Sequence, residues 1–300
     1  MAIALSGAQR REPADARAFD RHLRVRGLVL VALDLFYMSA LNGRLLLQVL
    51  YALGVGMIAL SFLRHLGPRV LLALALAWFL ADEWVSTRLW DPLTPPDSGS
   101  PFTALAVGHW RGDIGTILYP ALPWLAIMTL GWVLGEHMAR WHEGRARVRP
   151  ARVFALTGIA GLLVFTLVRA LNGYGNMLLY RADDSLVQWL HVSKYPPSLA
   201  FVGLQLGLVL LLLAALVRIE PRIPAHRDGP VLLFGQTALF FYIVHWLVLG
   251  APATLFGLFR VGGVGAAYLA AAAALLVMWP LCRRYRRYKR AHPHGWARYI

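Results

Sequence analysis

The sequence predicts an all-α, polytopic transmembrane bundle. Three observations carry this: recurrent apolar runs near 20 residues long, a chain that is 58% hydrophobic and only 15% charged, and basic residues concentrated in alternate connecting segments. A bilayer core about 30 Å thick takes about 20 helical residues to cross. Eight runs qualify, near residues 26–43, 45–63, 68–83, 114–138, 151–171, 197–219, 230–251 and 263–282. Uninterrupted Leu, Ala and Val stretches lack the alternation of a membrane barrel, so backbone polar groups in hydrocarbon must be satisfied within helices.

With eight crossings and a cytoplasmic start, most of the 30 Lys and Arg fall on one side: Arg17 to Arg26, the Arg140 to Arg152 loop and Arg283 to Arg290. The positive-inside rule then puts both termini in the cytoplasm. The chain divides into a cytoplasmic segment 1–25, a membrane domain 26–282 and a basic tail 283–300. Residues 26–63 read either as two spans or as a re-entrant hairpin around Arg44. A net charge of +15 distributed over juxtamembrane loops meets anionic headgroups and does not mark a nucleic-acid partner. One cysteine, Cys282, excludes an intrachain disulfide and a cysteine metal cluster, and no metal is expected.

Along the chain, apolar Met1 to Ala8 precedes its charges instead of following them, which is the order of an emerging helix end and not of a signal peptide. Asp34 lies within the first run, where a carboxylate is expensive; it reads as functional or as a neutral partner of Gln48 on the next helix. Pro120 and Pro123 break the fourth run, and Asp91 to Gly99 reads as a surface loop. Asp82, Glu83, His109, Arg111, Asp113, Arg169, Asn172, Asp183, Asp184, His191 and Lys194 fall to the outer loops. His191 to Ser198 is the most site-like stretch, because Pro196 and Pro197 fix an extended approach that aims Lys194 and Tyr195. Its structural alternative is a helix start capped by Ser193 or Ser198. His245, among Phe240, Phe241, Tyr242 and Trp246, reads as a base or as a packed polar residue.

These segments resemble, over most of the chain, bacterial members of the heparan-α-glucosaminide N-acetyltransferase catalytic-domain family. The resemblance rests on Arg26-Gly27 with Asp34, Leu47 to Gly54, Tyr119-Pro120 through Trp124, Arg169 through Gly175, Lys194-Tyr195-Pro196-Pro197-Ser198, Phe234-Gly235 leading to His245, and the tail with Trp296. It implies a bacterial inner-membrane protein that transfers an acetyl or other acyl group from acyl-CoA, as co-substrate, to a sugar or amino-sugar acceptor across the membrane. Lys194 and Tyr195 would position or polarise the acyl carbonyl. Asp34, Gln48, Arg169, Asn172 and Ser198 would line the cavity, and His245 would be a reserve acid or base.

Met1 to Arg11 resembles the cytoplasmic end of the family's second helix, so the resemblance implies that the family's first helix, with its Asp/Arg-Gly pattern and proposed active-site histidine, and most of the second are not in this sequence. Catalysis then requires a substitute among His245, His109 and His191. Two rival readings remain open: a transporter using Asp34 and His245 as a proton relay, and a non-catalytic membrane remnant.

Overall fold

The computed structural model describes residues 1, 13–90, 99–222, 229–259, 261–292 and 295–299. The readings placed on residues 2–12 and on the Asp91 to Gly99 loop fall outside it, save for Gly99 itself. The described chain is mostly helical. Among the described residues, seven helices are long and apolar enough to cross a membrane: Ala16–Asn42, Val49–Leu66, Pro68–Leu89, Pro150–Leu171, Leu199–Ile219, Ala238–Leu255 and Val264–Ala291. Many outward-facing large side chains are leucines, such as Leu163 at 65% exposure and Leu167 at 60%, a surface suited to lipid. Two compact units are distinguished, Met1–Arg222 and Ile223–Ile300.

In the first unit, α1 (Pro13–Ala32) starts well before the apolar run. The polar stretch is helical because it is amphipathic: Phe19 and Leu23 are buried, and Asp20 pairs with Arg64 at 2.5 Å and with His65 at 3.1 Å. α1 runs into a π-helical stretch (Leu33–Met38) and a last turn, α2 (Ser39–Asn42), closed by left-handed Gly43. Strand β1 (Leu45–Leu47) leads to α3 (Val49–Leu63), so residues 26–63 form two helices joined by a short strand.

Then follow α4 (Pro68–Leu89), α5 (Pro101–Ala106), β2 (Trp110–Gly112), β3 (Gly115–Ile117), α6 (Ala121–His142), α7 (Pro150–Leu171), the short α8 (Leu186–Leu190) and α9 (Leu199–Ile219). The three strands form a small sheet in the order β1-β3-β2, parallel then antiparallel. The expected span at 114–138 therefore starts later. Residues 115–117 pair as a strand, and the helix begins only after Pro120, which cannot donate to a preceding turn. α6 has spanning length, but Glu136, His137 and Arg140 make it more polar than the seven.

Close backbone approach sets the packing of this unit. A Cβ on Gly203 would lie 2.7 Å from the Gly161 carbonyl, and one on Gly207 would meet Leu162 at 2.8 Å, so α7 and α9 cross on glycines spaced to admit one another. Gly27 and Gly54 do the same for α1 and α3, each within 2.6 Å of the other's carbonyl for an added Cβ. Ala75, Phe79, Leu130, Phe154 and Leu210 fill the core between α4, α6, α7 and α9.

The second unit contains α10 (Pro230–Gln236), α11 (Ala238–Leu255) and α12 (Val264–Ala291) around Leu233, Met278 and Cys282. α12 continues well past the expected boundary at 282. Tyr285 is buried and stacks on Phe240 at 4.2 Å, so apolar packing persists into the basic stretch.

Candidate functional site

In the first unit, chemistry-bearing residues gather where α4, α6, α7 and α9 end beside the sheet. The Lys194 segment folds as a tight turn: Ser193 Oγ donates to the Pro196 carbonyl at 3.0 Å, the Ser198 amide donates to the Ser193 carbonyl at 2.9 Å, and the Tyr195-Pro196 bond is cis. Ser198 is fully buried and its Oγ accepts the Phe201 amide at 3.1 Å, capping α9. That cap anchors the turn and presents Lys194 and Tyr195 at the head of the helix.

Lys194 Nζ lies 5.5 Å from the centre of the Tyr119 ring and 5.1 Å from that of Tyr195, while the Tyr195 hydroxyl donates to the Tyr119 hydroxyl at 3.1 Å. Burial pulls the Lys194 ammonium down, but hydrogen bonding to the two tyrosines outweighs it and leaves the group raised. Burial and the Tyr195 bond push the Tyr119 phenol up, against the pull of Lys194. Tyr119 is held by Trp124 at 4.9 Å, whose indole meets Phe201 at 6.4 Å.

His109 completes the group. Its ring lies 4.6 Å from that of Trp90, and Gly108 admits that indole, since a Cβ there would fall 2.3 Å from it. Burial lowers the imidazole, hydrogen bonding to the Tyr195 backbone raises it and Arg111 lowers it again, for a net depression. Nδ1 is buried without a partner. In the tautomer protonated at Nε2, a neutral ring keeps its lone pair at Nδ1. The cluster thus combines a fixed positive charge, two phenols and an unengaged imidazole nitrogen.

Beside it lies a locked loop. Glu83, assigned from sequence to an outer loop together with Asp82, is instead buried inside α4 and accepts the Gly175 amide at 2.6 Å and the Met177 amide at 2.7 Å. Asp82, also buried in α4, accepts from Ser86 Oγ at 3.0 Å. The third run continues to Leu89, and its Asp82, Glu83 and Ser86 face protein and not water.

Arg169 is fully buried and grips the same loop from α7. Nη1 donates to Asn176 Oδ1 at 2.6 Å and to the Leu179 carbonyl at 3.0 Å, Nε to the Trp189 carbonyl at 3.2 Å, and Nη2 to the Gln188 carbonyl. Asn172 ends α7 in the left-handed region and exchanges two hydrogen bonds with the Arg181 backbone, at 2.6 and 3.0 Å. Both residues spend these polar groups on the loop. Tyr174 reaches back, its hydroxyl donating to the Leu80 carbonyl at 2.6 Å.

Asp34 is fully buried on the π-helical stretch, and its Oδ2 accepts the Gln48 amide at 2.6 Å and the Tyr51 amide at 2.8 Å. It therefore caps the start of α3 from another helix. Its partner on Gln48 is the backbone, where the sequence reading allowed the side chain; Asp34 Oδ1 and Gln48 Nε2 are buried without partners. Tyr51 Oη donates to the Leu105 carbonyl at 3.3 Å, joining this region to α5.

His245 belongs to the second unit, and its Nδ1 bonds back to carbonyls of its own helix, at 2.6 Å to Tyr242 and 3.2 Å to Phe241. His191 is exposed in the first unit. No family model, curated protein or solved structure matches the chain.

Proposed function

We propose that the protein is an inner-membrane acyltransferase with both termini cytoplasmic and α6 as an eighth span, moving an acetyl or related acyl group from acyl-CoA to a sugar or amino-sugar acceptor. The observation that carries this reading is the convergence of Lys194, Tyr195, Tyr119 and His109 from three separate segments. It adds to the resemblance already noted in the Lys-Tyr-Pro-Pro-Ser stretch.

Acyl transfer requires a base for the acceptor proton and positive charge where the carbonyl oxygen becomes an oxyanion. His109 Nδ1 takes the proton as the acceptor amine or hydroxyl bonds to the acyl carbon. The Lys194 ammonium and a tyrosine hydroxyl stabilise the oxyanion. Collapse breaks the carbon–sulfur bond, and the thiolate of CoA leaves with the proton returned by His109. Glu83, Arg169, Asn172 and the Ser198 cap are positioning residues that hold the neighbouring backbone still. His245 is assigned no step.

The test is acetyl transfer from labelled acetyl-CoA to glucosamine by the purified chain in nanodiscs, alongside Lys194→Ala and His109→Gln. The reading expects each substitution to lower turnover about 10²-fold or more with folding intact. Unchanged turnover in both variants sinks it, as does proton-coupled uptake of a solute without any acyl transfer.

A further inference from the structure

At the opposite ends of α7 and α9 from Lys194 lies an open groove of about 740 Å³. Its floor is apolar, formed by Ala155, Ala214 and Val217, with Trp141 along one side. Four arginines line it: Arg149 and Arg152 at the start of α7, Arg218 in the last turn of α9 and Arg222 in the short 3-10 turn that follows it. No carboxylate is among the lining residues, and none of the four arginines shows a side-chain ion pair or hydrogen bond among the described residues. Nearby Arg145 differs, being paired with Glu143.

A second observation points the same way. The 22-residue helix α7 opens on this groove with Pro150 in its first turn; the Arg152 and Val153 amides bond to the Arg149 carbonyl, and no side chain caps the positive end of its dipole. Topology alone calls for basic residues somewhere near this face. The packing of α7 against α9 then brings basic residues some 70 apart in sequence to one cavity, where none of them meets a carboxylate.

We infer that this groove is a phosphate-binding site, taking the phosphoryl groups of a soluble phosphorylated cofactor or of an anionic phospholipid headgroup. Guanidinium forks match phosphate oxygens two at a time, and the apolar floor suits a neighbouring base or acyl chain. The inference does not depend on the acyltransferase reading, since it concerns binding only.

Two probes separate the sources: coenzyme A titrated against the full chain in detergent, and cardiolipin counted by native mass spectrometry from mixed-lipid nanodiscs. The expected result is that one probe binds the parent chain and that Arg152→Gln with Arg218→Gln together weakens it tenfold or more. Ala215→Trp, which fills the groove from its exposed side without removing charge, is expected to do likewise. Arg145→Gln, outside the groove, is expected to leave binding unchanged. Binding to coenzyme A alone assigns the cofactor, and binding to cardiolipin alone assigns the lipid. The inference is overturned if neither probe binds the parent, if the double variant with an unchanged melting temperature binds as tightly, or if Arg145→Gln is as damaging.

Discussion

The Glu83 carboxylate on α4 and the Gly175 amide after α7 meet at 2.6 Å, and the same oxygen takes the Met177 amide at 2.7 Å. A buried carboxylate with two backbone donors holds a loop that Arg169 holds from the other side through Asn176 and Leu179. Opposite charges are thereby joined through peptide dipoles without direct contact.

Removing Glu83 leaves two amides without their acceptor, at about 1–3 kcal/mol for each unsatisfied buried group. Glu83→Ala is expected to lower the detergent melting temperature sharply and to loosen residues 172–179 to amide hydrogen exchange. Glu83→Gln, which keeps one carbonyl acceptor, is expected to recover part of that loss. An equal loss in both variants would show that charge, and not acceptance, is what the loop needs.

The depressed imidazole of His109 makes a prediction in pH. Because burial leads its downward shift, the folded ring stays neutral below the ordinary histidine range, and a base using it stays active there. The acid limb of kcat/KM is expected below the ordinary histidine value of about 6.5, and His109→Gln is expected to remove that limb along with most turnover. Stability carries the same sign: the contribution is complete above the unfolded value and is lost as pH falls through it toward the folded one. A limb above the ordinary value rules out His109 as the base.

Much of the fold was legible because lipid demands long apolar runs, and those runs are local in sequence. The Lys194-Tyr195 turn was legible for a similar reason: prolines restrict their own neighbours. What was not legible depends on pairings between distant segments. Asp82 and Glu83 looked like loop charges because nothing near them in sequence announces the Gly175 amide. The strand at 115–117 is hidden at the head of an apolar run, and of its two partners only 110–112 is local, while 45–47 lies some 70 residues earlier. Asp34 did stand out, as any intramembrane carboxylate does, but its role as a cap on α3 required seeing the Gln48 and Tyr51 amides brought to it.

The crossing of α7 and α9 on glycines predicts a steep size dependence. A Cβ at Gly203 falls 2.7 Å from the Gly161 carbonyl and 3.0 Å from the Phe165 amide nitrogen, both backbone atoms that cannot swing away. Gly203→Ala is expected to cost about 1–3 kcal/mol, and Gly203→Leu to separate the helices. Gly235, with nothing within 4 Å of an added Cβ, serves as the control. Reversible unfolding in mixed detergent micelles measures both, and an equal stabilisation by alanine at the two sites would mean that helix propensity alone is being read.

Asp34 offers the sharpest separation of structure from chemistry. Its Oδ2 stands in for a capping side chain, so Asp34→Asn, which keeps a carbonyl oxygen, is expected to hold α3 with a loss below about 1 kcal/mol. Asp34→Ala frees both amides and is expected to cost about 1–2 kcal/mol or more, since the site is fully buried. If Asp34 is a cap and nothing else, turnover in the two variants follows stability, and Asn stays active. Should Asp34→Asn fold like the parent but abolish acyl transfer or proton-coupled flux, the unpartnered Oδ1 is then a functional oxygen, and the cap is the means by which the fold keeps it in place.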